Sequence, residues 1–243
     1  DLHSFPTRRS SDLVNWRVSK ITAGRDAPDE RIYRRDNGEF SSRVDGNLRN
    51  WSVLDDEVQD FGLDLSMTFY GGPADSVITT RAGYMLVEKD RSSEIRRFGF
   101  AFSGALANDT DLLMKPIEEI LVPDNIVSNG FTIREITRPT DNYTAENVLN
   151  AFYGEVELNF DDRLRFTLGA RQERFEQSVD TFDLFRPGIG SKAAQNTDQL
   201  LPSASLTLIL GDHQFRAGYS QTVSRPDFRE LSPAAFTNPI NGR

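Results

Sequence analysis

The stretch AFYGEVELNFDDRLRFTLGARQERF, residues 151–175, decides the fold because its polarity alternates from one residue to the next. Apolar or small residues occupy every second position, and polar or charged residues lie between them. A period of two is that of a β-strand with one apolar and one polar face. Asp161 and Asp162 interrupt the alternation with a tight turn. The stretch therefore predicts an antiparallel β-hairpin.

The same alternation recurs along the chain and predicts about seven strands in all. Besides the hairpin, it covers segments 14–18, 61–69, 78–86, 203–210 and 215–220. No internal repeat of fixed period accompanies it, which argues against a solenoid. The pattern alone fits either a membrane β-barrel or an antiparallel sheet in a soluble sandwich, because both have one apolar and one polar face.

The lengths of the connections favour the barrel. Short turns are predicted at residues 71–76, 161–162 and 211–212, and long connections at 23–49, 103–150 and 176–199. Short and long connections alternate, so the long ones all lie at one end of the sheet. Outer-membrane barrels have this arrangement, with short periplasmic turns and long extracellular loops. We therefore predict an all-β fold, an antiparallel transmembrane β-barrel whose polar face points inwards.

Composition excludes several classes of protein. The mean hydropathy is −0.49 and the sequence has no apolar run of about 18 residues, which excludes a helical membrane protein. A net charge of −9 argues against a nucleic-acid partner. Cysteine is absent, and the two histidines are His3 and His213. With no hydrolase, phosphate-loop or zinc-protease motif either, we expect no enzyme, no catalytic residues, no cofactor and no metal site.

The first thirteen residues, DLHSFPTRRSSDL, resemble the translation of a common sequencing adapter. We expect residues 1–13 to be an adapter-derived artefact; the alternative is a natural Ser/Arg-rich arm. The chain stops at Arg243 without a closing strand. We therefore expect residues 14–243 to be an internal fragment of a barrel, without a plug and without its C-terminal strands.

Three stretches resemble the barrel region of TonB-dependent outer-membrane receptors. They are YTAENVLNAFYGEVEL (143–158), LGARQER (168–174) and FRAGYSQTVSRPDFRELSP (215–233), and residues 51–69 fit the same family. The resemblance implies a 22-stranded barrel in the bacterial outer membrane, about a third of which is present here. It also implies an N-terminal plug, energy from the TonB complex, contact with outer-membrane lipid, and uptake of a small scarce nutrient. Iron siderophores, cobalamin and oligosaccharides are the candidate classes.

The sequence also allows two other hypotheses of function. One is a passive, porin-like outer-membrane barrel without a plug, and the other is a soluble β-rich binding module. An upstream plug would separate the receptor from the porin. Partition into detergent would separate both from the soluble module.

Candidate functional residues lie mainly in the predicted loops. Phe182 and Phe185 are candidates for stacking on a ligand, although packing within the loop is the better explanation of both. Residues 111–122 predict a short amphipathic helix over the barrel mouth, interrupted at Pro116. The acidic groups 55–57 and 109/111 are expected to be solvated charges, since neither has the spacing of a calcium loop.

Two sets of residues on the strands are also predicted to have defined positions. Arg163, Arg165 and Arg171 are expected on the inner face, opposite Glu155 and Glu157 of the neighbouring strand. Four aromatic residues are expected in the interfacial girdle on the lipid face: Trp16, Phe69, Phe160 and Tyr219.

Overall fold

Seven long antiparallel strands dominate the chain, whose computed structural model describes residues 12–71, 76–183, 185–186 and 188–232. Along the sheet they are β1 (Leu13–Ile32), β4 (Leu48–Tyr70), β5 (Val77–Phe102), β7 (Tyr143–Phe160), β8 (Leu164–Phe182), β9 (Gly190–Leu210) and β10 (His213–Ser220). Each strand pairs with the next, so the chain meanders up and down. The prediction of about seven antiparallel strands is confirmed. Residues 1–11 of the predicted adapter segment lie outside the described residues.

Three shorter strands belong to the long connections. β2 (Arg35–Asp36) and β3 (Glu39–Phe40) form a small hairpin, and β6 (Phe131–Glu135) pairs with the end of β5. Asn37 and Gly38 join β2 to β3 with positive φ angles of 54° and 93°. Two positive φ angles are what a two-residue type I′ hairpin requires, and Asn-Gly tolerates both. This hairpin lies within the long connection predicted for residues 23–49 and was not predicted.

Three strands extend well beyond the segments in which the sequence alternates. β1 continues to Ile32, β8 to Phe182 and β9 begins at Gly190, so most of the predicted loops 23–49 and 176–199 is strand. The prediction failed there because both faces are polar, which removes the alternation while the backbone pairing continues. β5 has 26 residues, roughly 85 Å at the usual rise per residue. A membrane crossing needs about 9 to 11 residues, so most of these strands are about twice as long as a crossing requires.

Two tight turns lie at their predicted positions. Asp161 and Asp162 have φ angles of 50° and 53°, and Arg163 donates its N–H to the carbonyl of Phe160 at 3.0 Å. Gly211, at φ 57°, is the first residue of the two-residue turn between β9 and β10. Two-residue hairpin turns of types I′ and II′ both need a positive φ at that position, which glycine adopts without strain. Most of the third predicted turn, residues 72–75, lies outside the described part of the chain.

In the half of the sheet nearest the short turns, register places most apolar residues on one face, which we call the outer face. Directly paired residues share a face, and Trp16, Leu63, Tyr84 and Phe152 form one row across four strands. The exposed apolar residues of this face include Val14, Trp16, Val18, Phe61, Leu65, Met67, Phe69, Val156, Leu168, Leu206, Leu210, Phe215 and Tyr219. They occupy the half of the sheet nearest the short turns. The four predicted girdle aromatics all lie on this face.

The long connection after β5 contains helices α1 (Thr110–Leu113) and α2 (Ile117–Ile120), on either side of Pro116 as predicted. Their residues Leu113 and Ile120 pack with Phe40 of β3 and Phe131 of β6 in a small apolar cluster. A third helix, α3 (Phe228–Leu231), follows β10. None of the helices in the described residues is long and apolar enough to cross a membrane.

Candidate functional site

The face opposite the outer face, which we call the inner wall, carries a row of paired charges close to the short turns. Arg17 of β1 donates to Asp60 of β4 at 2.8 Å. Arg81 of β5 lies between Glu155 and Glu157 of β7, at 2.5 and 3.1 Å. Arg81 stands directly across the ladder from Glu155, whereas Arg17 reaches Asp60, two residues from its directly paired position. The wall is therefore polar but locally neutral at the depth of the apolar outer face.

Tyr153 links strands that are not adjacent. Its ring crosses β5 above Gly83, and its hydroxyl donates to the Asp64 carboxylate of β4 at 2.7 Å. A Cβ added at Gly83 would lie 2.3 Å from the Tyr153 ring and 2.9 Å from the carbonyl of Leu63. The absence of a side chain at Gly83 is thus what lets the tyrosine lie flat against the wall.

The three predicted inner-wall arginines have three different outcomes. Arg165 does reach Glu157, at 3.5 Å, as predicted. Arg171 instead pairs with Glu173 of its own strand at 2.6 Å, because Glu155 is already held by Arg81. Arg163 lies in the turn, exposed, and pairs with Asp161 at 3.4 Å. The prediction was right for one arginine and wrong in the partner for the other two.

In the half of the wall nearest the long loops, a returning segment covers the strands. Phe228 of α3 is 1% exposed and packs against Tyr143 and Ala145 of β7 and Val179 of β8. Its ring lies over two cations of β5, Arg91 at 5.3 Å and Lys89 at 5.7 Å from the centroid. An aromatic ring over two cations gains cation–π attraction in addition to apolar burial.

Polar contacts hold the same segment on both sides of Phe228. Asp227 pairs with Arg91 at 3.4 Å, and Arg91 is also held by Asp56 at 2.6 Å. Arg225 pairs with the buried Glu173 of β8 and lies over the Phe175 ring at 4.7 Å. Gln177 donates its side-chain amide to the carbonyl of Pro226 at 3.2 Å. The segment is therefore tied to β5 and β8 at once.

The predicted acidic groups do not form a cation site. In 55–57, Asp56 points to the inner wall and pairs with Arg91, while Glu57 on the outer face pairs with Lys20 at 2.6 Å. Asp109 accepts the backbone N–H of Leu112 at 3.0 Å and caps α1. An open outer-face cavity of about 620 Å³ is lined by acidic residues including Asp55 and Asp90. The described residues contain no group of three or more His, Cys, Asp or Glu placed to hold a metal.

The two aromatic candidates for ligand contact lie at the loop end, away from the inner wall. Phe182 ends β8 on the outer-face side and is 46% exposed, and Phe185, in the β8–β9 loop, is 88% exposed. Asp183 accepts the N–H of Phe185 at 2.9 Å, and Arg186 donates to the same carboxylate. The Arg186 side chain and, after it, the Phe185 N–H lower the pKa of Asp183. The role of Phe182 and Phe185 in ligand binding stays a prediction.

The residues that converge on the inner wall were not singled out as functional from the sequence. Arg225 and Asp227 were quoted for the family resemblance only, and Arg91 and Glu173 attracted no comment. The sequence feature that could have identified these residues is the run SRPDFREL, which follows β10 and combines charged residues with Phe228. Its local pattern does not predict that it folds back onto the strands.

Comparison with known proteins gives one match over nearly the whole chain. A family model described as "TonB dependent receptor-like, beta-barrel" matches residues 3–243. A search of curated protein sequences found no match. Among solved structures, the siderophore receptor PiuA from Acinetobacter baumannii is similar to 82% of this chain, with 11% identity and a TM-score of 0.37. The similar region is 31% of that receptor, so the chain spans about a third of its length.

Proposed function

The chain belongs to the TonB-dependent receptor-like β-barrel family, and on that premise we propose that it forms part of a receptor that actively imports a scarce nutrient. Proteins of this family lie in the outer membrane of Gram-negative bacteria. The apolar outer face then contacts lipid, and the inner wall lines the interior of the barrel. This location removes the soluble β-rich module from the alternatives.

The observation that carries the proposal is the division of the sheet into an apolar outer face and a charge-paired inner wall. Arg17, Arg81 and Arg165 are all neutralised by carboxylates of the wall itself. A wall that satisfies its own charges can face water, a plug or a polar solute without leaving an unpaired ion. Polar nutrients too large or too rare for passive diffusion fit such an interior.

We further propose the nutrient classes and the partner. The nutrient is a small polar molecule of the siderophore-iron, cobalamin or oligosaccharide class. The energy comes from the TonB complex, which contacts a region N-terminal to the barrel. We expect the receptor to bind and move its nutrient without altering it chemically.

The test is nutrient uptake by cells that carry the full-length receptor, with and without a functional TonB complex. Ferric siderophore, cobalamin and a labelled oligosaccharide are offered separately. We expect one of them to accumulate inside the cells, and only when TonB is functional. Equal entry in both strains would instead identify a passive, porin-like barrel. Entry of none of the three would contradict the proposed nutrient classes.

The same uptake assay tests Phe185 as a contact for the nutrient. We expect Phe185→Ala to weaken binding about tenfold, the loss expected for one aromatic contact. Ile189→Ala is the matched control, since Ile189 is an exposed apolar residue of the same loop. If both variants or neither weaken binding, Phe185 has no specific role in recognition.

A further inference from the structure

Residues 221–232, which we call the strap, leave the edge of the sheet and cross back over its inner wall. The strap starts beside β9, where Gln221 donates its N–H to the carbonyl of Pro202 at 3.0 Å. It then passes β8, where Arg225 meets Glu173, and reaches β7 and β5 through Phe228 and Asp227. The strap therefore spans the strands from β9 to β5 although β10 precedes it in the chain.

Side-chain contacts, rather than a strand ladder, hold the strap in place. Its only helix in the described residues, α3, has four residues, which is too short to be stable without tertiary contacts. The anchors include the buried Phe228, the two ion pairs of Arg225 and Asp227, and the hydrogen bond from Gln177 to Pro226. Arg229 and Ser232 also interact with other residues. The strands beneath are instead joined by continuous ladders of 17 to 23 residue pairs. The strap is thus the part of the inner wall that detaches at least cost.

Detachment would change the chemistry of the wall. Phe228 covers Val179, which is 0% exposed, and packs against Tyr143. Its ring lies over two cations, Arg91 and Lys89, and Asp227 neutralises Arg91 together with Asp56. Without the strap, an aromatic and basic surface faces the interior at the long-loop end.

We propose that the strap is a movable cover, closed in this structure, whose release exposes Lys89, Arg91 and Tyr143 to a solute entering from the long-loop side. Closure of the strap is a property of this chain alone. Its role as a gate for the nutrient rests on the proposed transport function.

Cysteine accessibility in the full-length receptor tests closure. The chain has no cysteine, so Val179→Cys places one reporter in it, beneath Phe228. A membrane-impermeant maleimide added to intact cells should label V179C slowly. Adding Phe228→Ala should accelerate labelling about 10 to 100 times, since the ring no longer covers the thiol. Equal rates with and without Phe228 would overturn the proposal, because the strap would then be open already.

The ion pairs are tested in the same V179C background. Glu173→Gln should raise the labelling rate roughly tenfold, because it leaves the largely buried Arg225 unpaired. Asp227→Asn should raise it about two- to fivefold, since that pair is half exposed and asparagine still caps α3. Glu230→Gln, an equal charge change at an exposed residue of α3, should leave the rate unchanged. Labelling that is unaffected by both E173Q and D227N would show that these pairs do not hold the strap.

A reversible lock tests the gate. The double variant Gln177→Cys with Pro226→Cys joins the strap to β8 by a disulfide where the two residues now share a hydrogen bond. Nutrient uptake should fall at least tenfold in the oxidised receptor and recover when a reductant is added. Thr68→Cys with Thr79→Cys, a directly paired position between β4 and β5, is the matched control and should not respond to reductant. Undiminished uptake by the locked receptor would overturn the gate, whereas absence of uptake in the unlocked receptor as well would count against transport and leave the labelling result intact.

Discussion

The outer face and the inner wall are made from alternate residues of the same strands, yet they depend on different kinds of interaction. On the outer face, Phe152, Val156 and Leu168 are apolar and largely exposed. On the inner wall, Tyr153 and Glu155 alternate with Phe152 and Val156 along β7, and each has a particular partner on another strand. The outer face therefore requires only a class of residue, whereas the inner wall requires particular residues in a particular register.

The largest expected effect comes from placing a charge on either face. Leu206→Arg puts a cation on the outer face, and Ser205→Arg puts the same cation on the inner wall one residue along β9, directly opposite the uncharged Thr167 and Gly218. The first should cost about 2–4 kcal/mol of folding free energy in a lipid bilayer, and the second less than about 1 kcal/mol. Urea titration of the full-length receptor in lipid vesicles measures both. Equal costs would mean that the outer face does not contact lipid while the inner wall faces the barrel interior.

A glycine substitution on each face sharpens the comparison. Gly83→Ala places a methyl group 2.3 Å from the Tyr153 ring, and we expect it to cost about 1–3 kcal/mol through overpacking and loss of the Tyr153–Asp64 hydrogen bond. Gly154→Ala on the outer face meets nothing within 4 Å and should change stability by less than about 0.5 kcal/mol. The same vesicle titration distinguishes them. A neutral G83A would show that Tyr153 does not need to cross at Gly83.

The smallest effect is expected for removing one charge. Arg81→Met leaves Glu155 and Glu157 without their shared cation, and we expect a cost of about 1–2 kcal/mol for this partly exposed site. Arg163→Met removes an arginine whose pair with Asp161 is fully solvated, and the cost should stay within about 0.5 kcal/mol. If the two variants are equally stable, the inner-wall pairs contribute no more than surface pairs.

Sequence reasoning succeeded where structure depends on local pattern. The sequence correctly predicted the strands near the short turns and the turns at Asp161–Asp162 and Gly211. It also predicted which residues lie on the apolar face and that Pro116 separates two helices. These features follow from residues within a few positions of one another. The parts of β1, β8 and β9 nearest the long loops were not predicted, because polar residues there are common on both faces and the alternation disappears. Gln177 of β8 and Gln195 of β9, for example, are directly paired.

The candidate site was harder to predict because its residues are distant in sequence. Arg225 lies 52 residues from Glu173, and Asp227 lies 136 residues from Arg91. Phe182 and Phe185 were predicted as loop aromatics that stack on a ligand or pack within the loop; both are exposed, and Phe182 is the last residue of β8. The buried aromatic of the inner wall, Phe228, has no local sign of burial in its surroundings of charged residues.

By itself the sequence determined that this chain forms antiparallel strands with one apolar face, since a period of two can be satisfied in no other regular backbone. The apolar alternation also determined which residues lie on the outer face. Only the tertiary structure decided which charges pair, that Gly83 lets Tyr153 cross to Asp64, and that Phe228 returns to β7 and β8. These contacts join segments far apart along the chain, and they depend on a strand register that is set by the whole sheet rather than by any one segment.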